Sequence, residues 1–136
     1  MPLVETSSPD QYICYAYPLT TEEDIYVLSS LTEADKSLAH HVTTGVCEEP
    51  TFTGTTWDCT KSQGHTCKGD AVNFGLWDEF SNAKDNGAFK LPEGVSLRLG
   101  PRTNLKYFLI QVHFMNPVET PRMSAANVTL EFTTNP

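Results

Sequence analysis

Helical periodicity is missing from this 136-residue chain, because no segment repeats its apolar residues every three to four positions. No apolar run approaches the roughly 18 residues that cross a membrane as a helix, so no membrane segment is expected. Positive charge is scarce and dispersed: nine Lys and Arg stand against 17 Asp and Glu, for a formal charge of −8. That balance opposes binding to phosphate backbones or anionic lipid, and no nucleic-acid partner is expected. Internal repeats, heptad runs, a Gly-rich phosphate loop leading into a helix and G-x-S-x-G are all absent, which removes nucleotide-loop and nucleophile-elbow chemistry. Residues Met1 to Pro9 carry neither the charged start nor the apolar stretch of a secretory signal. C-x-x-C spacing does not occur either. The four cysteines, Cys14, Cys47, Cys59 and Cys67, therefore point to two disulfides rather than a thiolate metal site, and so to an oxidising compartment. Three pairings are open to them.

What is present reads as strand. Gln11 to Tyr17 is rich in aromatic and β-branched residues and is stopped by Pro18. Ile25 to Leu28 is a second short strand, with a polar turn from Thr32 to Ser37. Glu48 to Asp70 is rich in Thr, Gly, Asp and Lys and reads as a long loop held by disulfides. Strand character resumes from Ala71 to Trp77, and turns follow at Asp85-Asn86-Gly87 and Pro92-Glu93-Gly94. Val95 to Leu99 and Val128 to Phe132 alternate cleanly, so each should bury one face. Tyr107 to Met115 places Phe108, Ile110, Val112 and Phe114 on one face and His113 on the other. About seven short strands between turn signals predict an all-β fold: an antiparallel β-sandwich forming a single domain over 1–136, with Phe108, Ile110, Val112, Leu97 and Leu130 in its core. Asn127-Val128-Thr129 is a glycosylation sequon that fits a secreted protein.

The chemistry lies in Leu38 to Cys47, where His40 and His41 are adjacent. Two imidazoles there and a third at His113 make a donor set suited to copper or zinc. Neighbouring side chains of a regular strand point to opposite faces, so a single site demands a strand end, a strong twist or a bulge near His40. The two rings are expected to ligate through different nitrogens. His65 reads as an exposed loop histidine.

The ordered set Tyr12-Ile13-Cys14, Glu22-Glu23, Tyr26-Val27, His40-His41 with Cys47 six residues on, Trp57-x-Cys59, Cys67, Leu91-Pro92-x-Gly94-Val95, Arg98-x-Gly100 and Lys106-Tyr107-Phe108-x-x-Gln111-Val112-His113 resembles the N-terminal domain of the copper type II, ascorbate-dependent monooxygenases. Within that family it is most similar to the peptidylglycine alpha-hydroxylating branch.

The resemblance implies a jelly-roll-like sandwich holding one copper ion on His40, His41 and His113. It also implies disulfides Cys14 to Cys59 and Cys47 to Cys67. By the same resemblance this copper transfers electrons supplied by ascorbate, and no catalytic residue lies in the domain itself. Hydroxylation of glycine-extended peptides would take place at a second copper domain, a partner absent from this chain, so the isolated domain should not hydroxylate. The alternative reading is a stand-alone copper-binding or copper-carrying module; a third is a sandwich that keeps only the fold. Two departures stand out. Val42-Thr43-Thr44-Gly45-Val46 is smaller and more polar than the family's apolar run, and no cysteine is available for a further disulfide from the leader to the region of Ser124 or Ala125.

Overall fold

The computed structural model describes residues 1–6, 10–62, 66–114 and 122–136. Its strands are β1 (Val4–Thr6), β2 (Gln11–Pro18), β3 (Ile25–Glu33), β4 (Ala39–Pro50), β5 (Thr56–Asp58), β6 (Cys67–Asp78), β7 (Ala88–Lys90), β8 (Leu97–Leu99), β9 (Tyr107–Phe114), β10 (Arg122–Ser124) and β11 (Asn127–Thr133). Only a 3-10 turn at Thr60–Ser62 interrupts this all-β pattern among the described residues, and no helix there is long and apolar enough to cross a membrane.

One sheet runs β5-β2-β9-β4-β6; a second runs β11-β3-β7, with β8 also on β3; β1 and β10 form a separate pair. Every pairing is antiparallel. The two larger sheets bury their facing sides against each other, which makes the chain a β-sandwich. β9 is the central strand of the five. Its Ile110, Val112 and Phe114 are buried, and Phe108 packs half-buried against the core. Leu97 and Leu130 also pack half-buried against it rather than lying fully inside.

The core is divided. One cluster holds Ile13, Leu38, Val42, Trp77, Ile110, Val112 and Phe114; the other holds Ile25, Val27, Val46, Phe74 and Leu99. The division falls where the inward positions are polar or missing: Thr44 between Val42 and Val46 on β4, Gly75 between Phe74 and Trp77 on β6, and Ser30 and Thr32 beyond Val27 on β3. The hydroxyls of Ser30, Thr32 and Thr44 are buried and have no hydrogen-bond partner in the structure. A Cβ on Gly75 would overlap the Thr44 hydroxyl and come within 3.5 Å of Thr32 Oγ1. The polar run after the histidine pair is thus the place where the core parts.

Several strands differ from their sequence expectation. β3 continues through Glu33, β4 through Pro50, and β6 begins at Cys67, so the segment read as a loop over 48–70 is largely strand and 3-10 turn. β6 did not show as strand from 67 to 70 because it lies at the sheet edge with Lys68 to Asn73 all exposed, which erases alternation. Val95 and Ser96 precede the short β8. Where β11 pairs with β3 the register shifts between Glu131 and Phe132, with Leu28 as the extra residue on β3; Phe132, opposite Val27 near the end of this edge strand, is 50% exposed. The first residues, for which no strand is expected from sequence, contribute β1, which pairs Val4 with Ser124.

Arg98-x-Gly100 also acquires a physical reason. Buried Asp24, at the entry to β3, accepts hydrogen bonds from Arg98 Nε at 2.8 Å and the Arg102 backbone N–H at 2.9 Å, with Arg98 Nη2 2.6 Å away. The Arg102 N–H first, and Arg98 after it, hold the carboxyl below its ordinary range against the opposing effect of burial. Gly100 passes over this pair at φ +134°, where a Cβ would lie 2.8 Å from Asp24 Cα.

Candidate metal centre

The face of the five-stranded sheet that points away from the core carries the histidines. Register places His41 opposite His113 on β9, and His113 opposite Tyr12 on β2. Between Ala39 and His41 the β4–β9 register shifts, which is the irregularity that two adjacent ligands require. The extra residue is His40. Its carbonyl accepts from the Glu79 N–H at 3.0 Å, fixing the bulged backbone to the end of β6.

The bulge turns both rings of the pair toward the same point. Nδ1 of His40 lies 3.1 Å from Nδ1 of His41 and 3.4 Å from Nδ1 of His113, and the last two are 3.4 Å apart. All three rings present the same nitrogen to that point, where different nitrogens were expected for the two rings of the pair. A point equidistant from the three nitrogens is about 1.9 Å from each, close to the 2.0–2.1 Å of a zinc–imidazole bond. Three lone pairs converging at this separation repel one another unless a proton or a cation sits between them. The donor set therefore fits a borderline metal, with copper within its range. No carboxylate or thiolate takes part.

Two residues overlooked by the sequence reading orient His113. Asp10 Oδ1 lies 2.7 Å from His113 Nε2. An ionised carboxylate only accepts, so Nε2 carries the proton and the neutral ring keeps its Nδ1 lone pair for the site. Tyr12 stacks on the same ring at 3.9 Å and 7°. The Tyr12 backbone is held in turn: its N–H donates to Thr60 Oγ1 at 2.9 Å and its carbonyl accepts from the Cys59 N–H at 2.9 Å. Tyr12 stands two residues from Cys14, the one signal that could have placed it here. Asp10 gave no signal, since its contact exists only through the β2–β9 pairing.

The remaining neighbours are aromatic and sulfur. Phe80, 75% exposed, meets His40 edge-on at 5.5 Å. Cys14 is bonded to Cys59 and Cys47 to Cys67, and Gln111 Nε2 lies 3.6 Å and 3.8 Å from the sulfurs of the first bridge. Among the described residues no cysteine is free, so no thiolate can compete for a metal. His113 is 6% exposed, while His40 and His41 are half-buried. Burial first, then the positive charges that His113 and His40 carry when protonated, hold His41 below the ordinary histidine range, with Asp78 acting in the opposite sense. The neutral form that a metal needs is favoured at that ring. His65 lies outside the described residues. Asn127 is exposed at the start of the edge strand β11.

The family model for the copper type II ascorbate-dependent monooxygenase N-terminal domain matches residues 2–121. The chain is 34% identical over 116 residues to peptidyl-glycine alpha-amidating monooxygenase A of Xenopus laevis, covering 85% of this chain and 12% of that protein. It is 32% identical over 114 residues to the peptidylglycine alpha-amidating monooxygenase of Rattus norvegicus, covering 84% and 11%. The chain thus spans about an eighth of the length of the curated relatives it matches. A three-imidazole cluster built on a β4 bulge and this match over most of its length lead to one assignment: the chain belongs to the copper type II ascorbate-dependent monooxygenase family, as an N-terminal domain.

Proposed function

We propose that His40, His41 and His113 hold one copper ion, and that this domain is the electron-transfer half of an ascorbate-dependent monooxygenase that hydroxylates glycine-extended peptides. The observation that carries the reading is the convergence of three Nδ1 atoms at 3.1–3.4 Å with no anionic ligand among them. Copper bound by three neutral imidazoles supplies a one-electron couple, because this donor set suits Cu(I) and leaves Cu(II) accessible.

The chain's own part is to keep that site rigid and neutral. Asp10 holds the Nε2 proton of His113, Tyr12 fixes its ring plane, and the bulge with its bond to Glu79 fixes His40. The peptide substrate, ascorbate and the second copper domain come to this reading from the family and from the names of the relatives. Two disulfides fit an oxidising compartment, which with the exposed Asn127 sequon supports a secretory or extracellular location.

The test is copper uptake followed by addition of ascorbate without oxygen. The proposal expects one copper per chain, a Cu(II) spectrum with nitrogen splitting, its loss on ascorbate, and no hydroxylation of a glycine-extended peptide by the isolated chain. Failure to take up copper, or a Cu(II) signal that ascorbate leaves unchanged, would overturn it.

A further inference from the structure

The row of side chains that carries His41 does not end at the histidines. On the outer face of the five-stranded sheet, Tyr12 of β2, His113 of β9, His41 of β4 and Asp78 of β6 stand opposite one another in turn. Direct partners on neighbouring strands share a face and bring their Cβ atoms to about 4.5–5.5 Å. His41 therefore has a histidine on one side and a carboxylate on the other. Asp78 is the last residue of β6, and β6 is the edge of its sheet.

That carboxylate is held in place. The Asp78 N–H donates to Asn86 Oδ1 at 3.0 Å, and the Asp78 carbonyl accepts from Asn86 Nδ2 at 2.8 Å. The next residue, Glu79, donates its N–H to the His40 carbonyl. Asp78 Oδ1 accepts from the Phe80 N–H at 2.8 Å, and the Phe80 ring meets His40 edge-on. The end of β6 is thus tied to the β4 bulge. None of these bonds neutralises the carboxylate, and among the described residues no lysine or arginine forms an ion pair with it. Its charge acts on His41, favouring the protonated ring against burial and the neighbouring histidines. A copper ion on that ring is subject to the same field.

We propose that Asp78 sets the reduction potential of the three-histidine site, its negative charge favouring Cu(II) over Cu(I). The inference rests on copper being held by His40, His41 and His113, as proposed above. Reduction removes one positive charge from the ion, the electron coming from ascorbate in that reading, so a fixed anion beside the site stabilises the oxidised ion more than the reduced one. Three neutral imidazoles by themselves suit Cu(I); the carboxylate at the end of the row shifts the balance toward the state that accepts an electron. Asp10 adds charge at the other end, but it is hydrogen-bonded to a ligand ring, so removing it also disturbs geometry. Asp78 reaches the site through its charge alone.

The test is a redox titration of the copper-loaded, disulfide-intact chain, followed by the Cu(II) paramagnetic resonance signal. Asp78→Asn removes the charge and keeps an Oδ1 acceptor for the Phe80 N–H, while the bonds from Asn86 go to the backbone and survive it. A unit charge at this separation, partly screened by salt, should change the ratio of Cu(II) to Cu(I) affinity about tenfold, a rise in potential of about 59 mV for one electron. Asp78→Ala should also raise the potential, and Asp78→Glu should leave it near the unmodified value. Glu93→Gln, the same loss of charge in the turn between β7 and β8, should leave it unchanged. Copper content and circular dichroism report that each variant is loaded and folded. The inference is overturned if Asp78→Asn and Asp78→Ala shift the potential no further than Glu93→Gln, if they lower it, or if Asp78→Glu shifts it as far as Asp78→Asn. Failure of the unmodified chain to take up copper would overturn the copper reading itself, and this inference with it.

Discussion

Asp10 Oδ1 accepts a hydrogen bond from His113 Nε2 at 2.7 Å, while the other nitrogen of the same ring faces His40 and His41. One contact thereby fixes both the tautomer of the ring and the aim of its Nδ1. Asp10→Ala should lower copper affinity by about 10- to 100-fold, and Asp10→Asn, which keeps an acceptor oxygen, should recover part of the loss. A competition titration against a copper chelator measures this. Equal affinity in all three proteins would show that the contact does not orient the ring.

The two disulfides should separate in their effects. In the chain-entropy model, closing sequence separations of 45 and 20 residues stabilises by about 4 and about 3 kcal/mol respectively. Replacing Cys14 and Cys59 by Ala should also weaken copper binding, because the Cys59 N–H and the Thr60 hydroxyl hold the backbone of Tyr12, whose ring stacks on His113. Replacing Cys47 and Cys67 should cost stability alone. Urea unfolding and copper titration on the two double variants check both statements; an equal fall in copper affinity would contradict the second.

How much of this was legible in the residues follows from where each signal is carried. The alternation of β11 showed, because exposed Asn127, Thr129 and Glu131 alternate with half-buried Val128 and Leu130; β9, a central strand with no exposed residue, showed through its density of apolar and aromatic residues. The ends of β4 and β6 did not, because β6 is an edge strand exposed along 68–73. The adjacent histidines advertised themselves and demanded a strand end, a strong twist or a bulge, of which the register shift at His40 supplies the bulge. His113, 72 residues beyond His41, could be joined to them from donor chemistry, and the resemblance named the same three residues as a ligand set; no local pattern relates two strands that meet only in the sheet. Asp10 and Tyr12 were invisible as site residues for the same reason: they reach His113 across β2 and β9.

Acid should weaken the copper-free chain in a defined window. His41 titrates below the ordinary histidine value, chiefly through burial, so below about pH 6.5 the unfolded chain binds more protons than the folded one. Stability therefore falls as pH drops from about 6.5 toward the folded value of His41. Asp24, held low by the Arg102 N–H and Arg98, stabilises the fold above the ordinary carboxyl range and loses that effect only well below this window. Urea midpoints at pH 7.5 and 5.5 should drop more in the unmodified chain than in His41→Ala. Identical drops would remove His41 from the account.

Gly75 and Thr44 occupy one space. Gly75→Ala places a methyl on the Thr44 hydroxyl and should cost about 1–3 kcal/mol, the range for overpacking. Adding Thr44→Ala should return part of the loss, giving a coupling that a double-mutant cycle detects. Strict additivity would mean that the two side chains do not compete.

Copper retained per chain, with all four cysteines oxidised, tests the central claim most directly. The account predicts one ion at pH 7, and its steep loss by about pH 5 as three imidazoles protonate together. His40→Ala, His41→Ala and His113→Ala should each abolish retention with the β-sheet circular dichroism intact, and His65→Ala should leave it unchanged. Retention that persisted to pH 4, or that depended on His65 and not on His113, would contradict it.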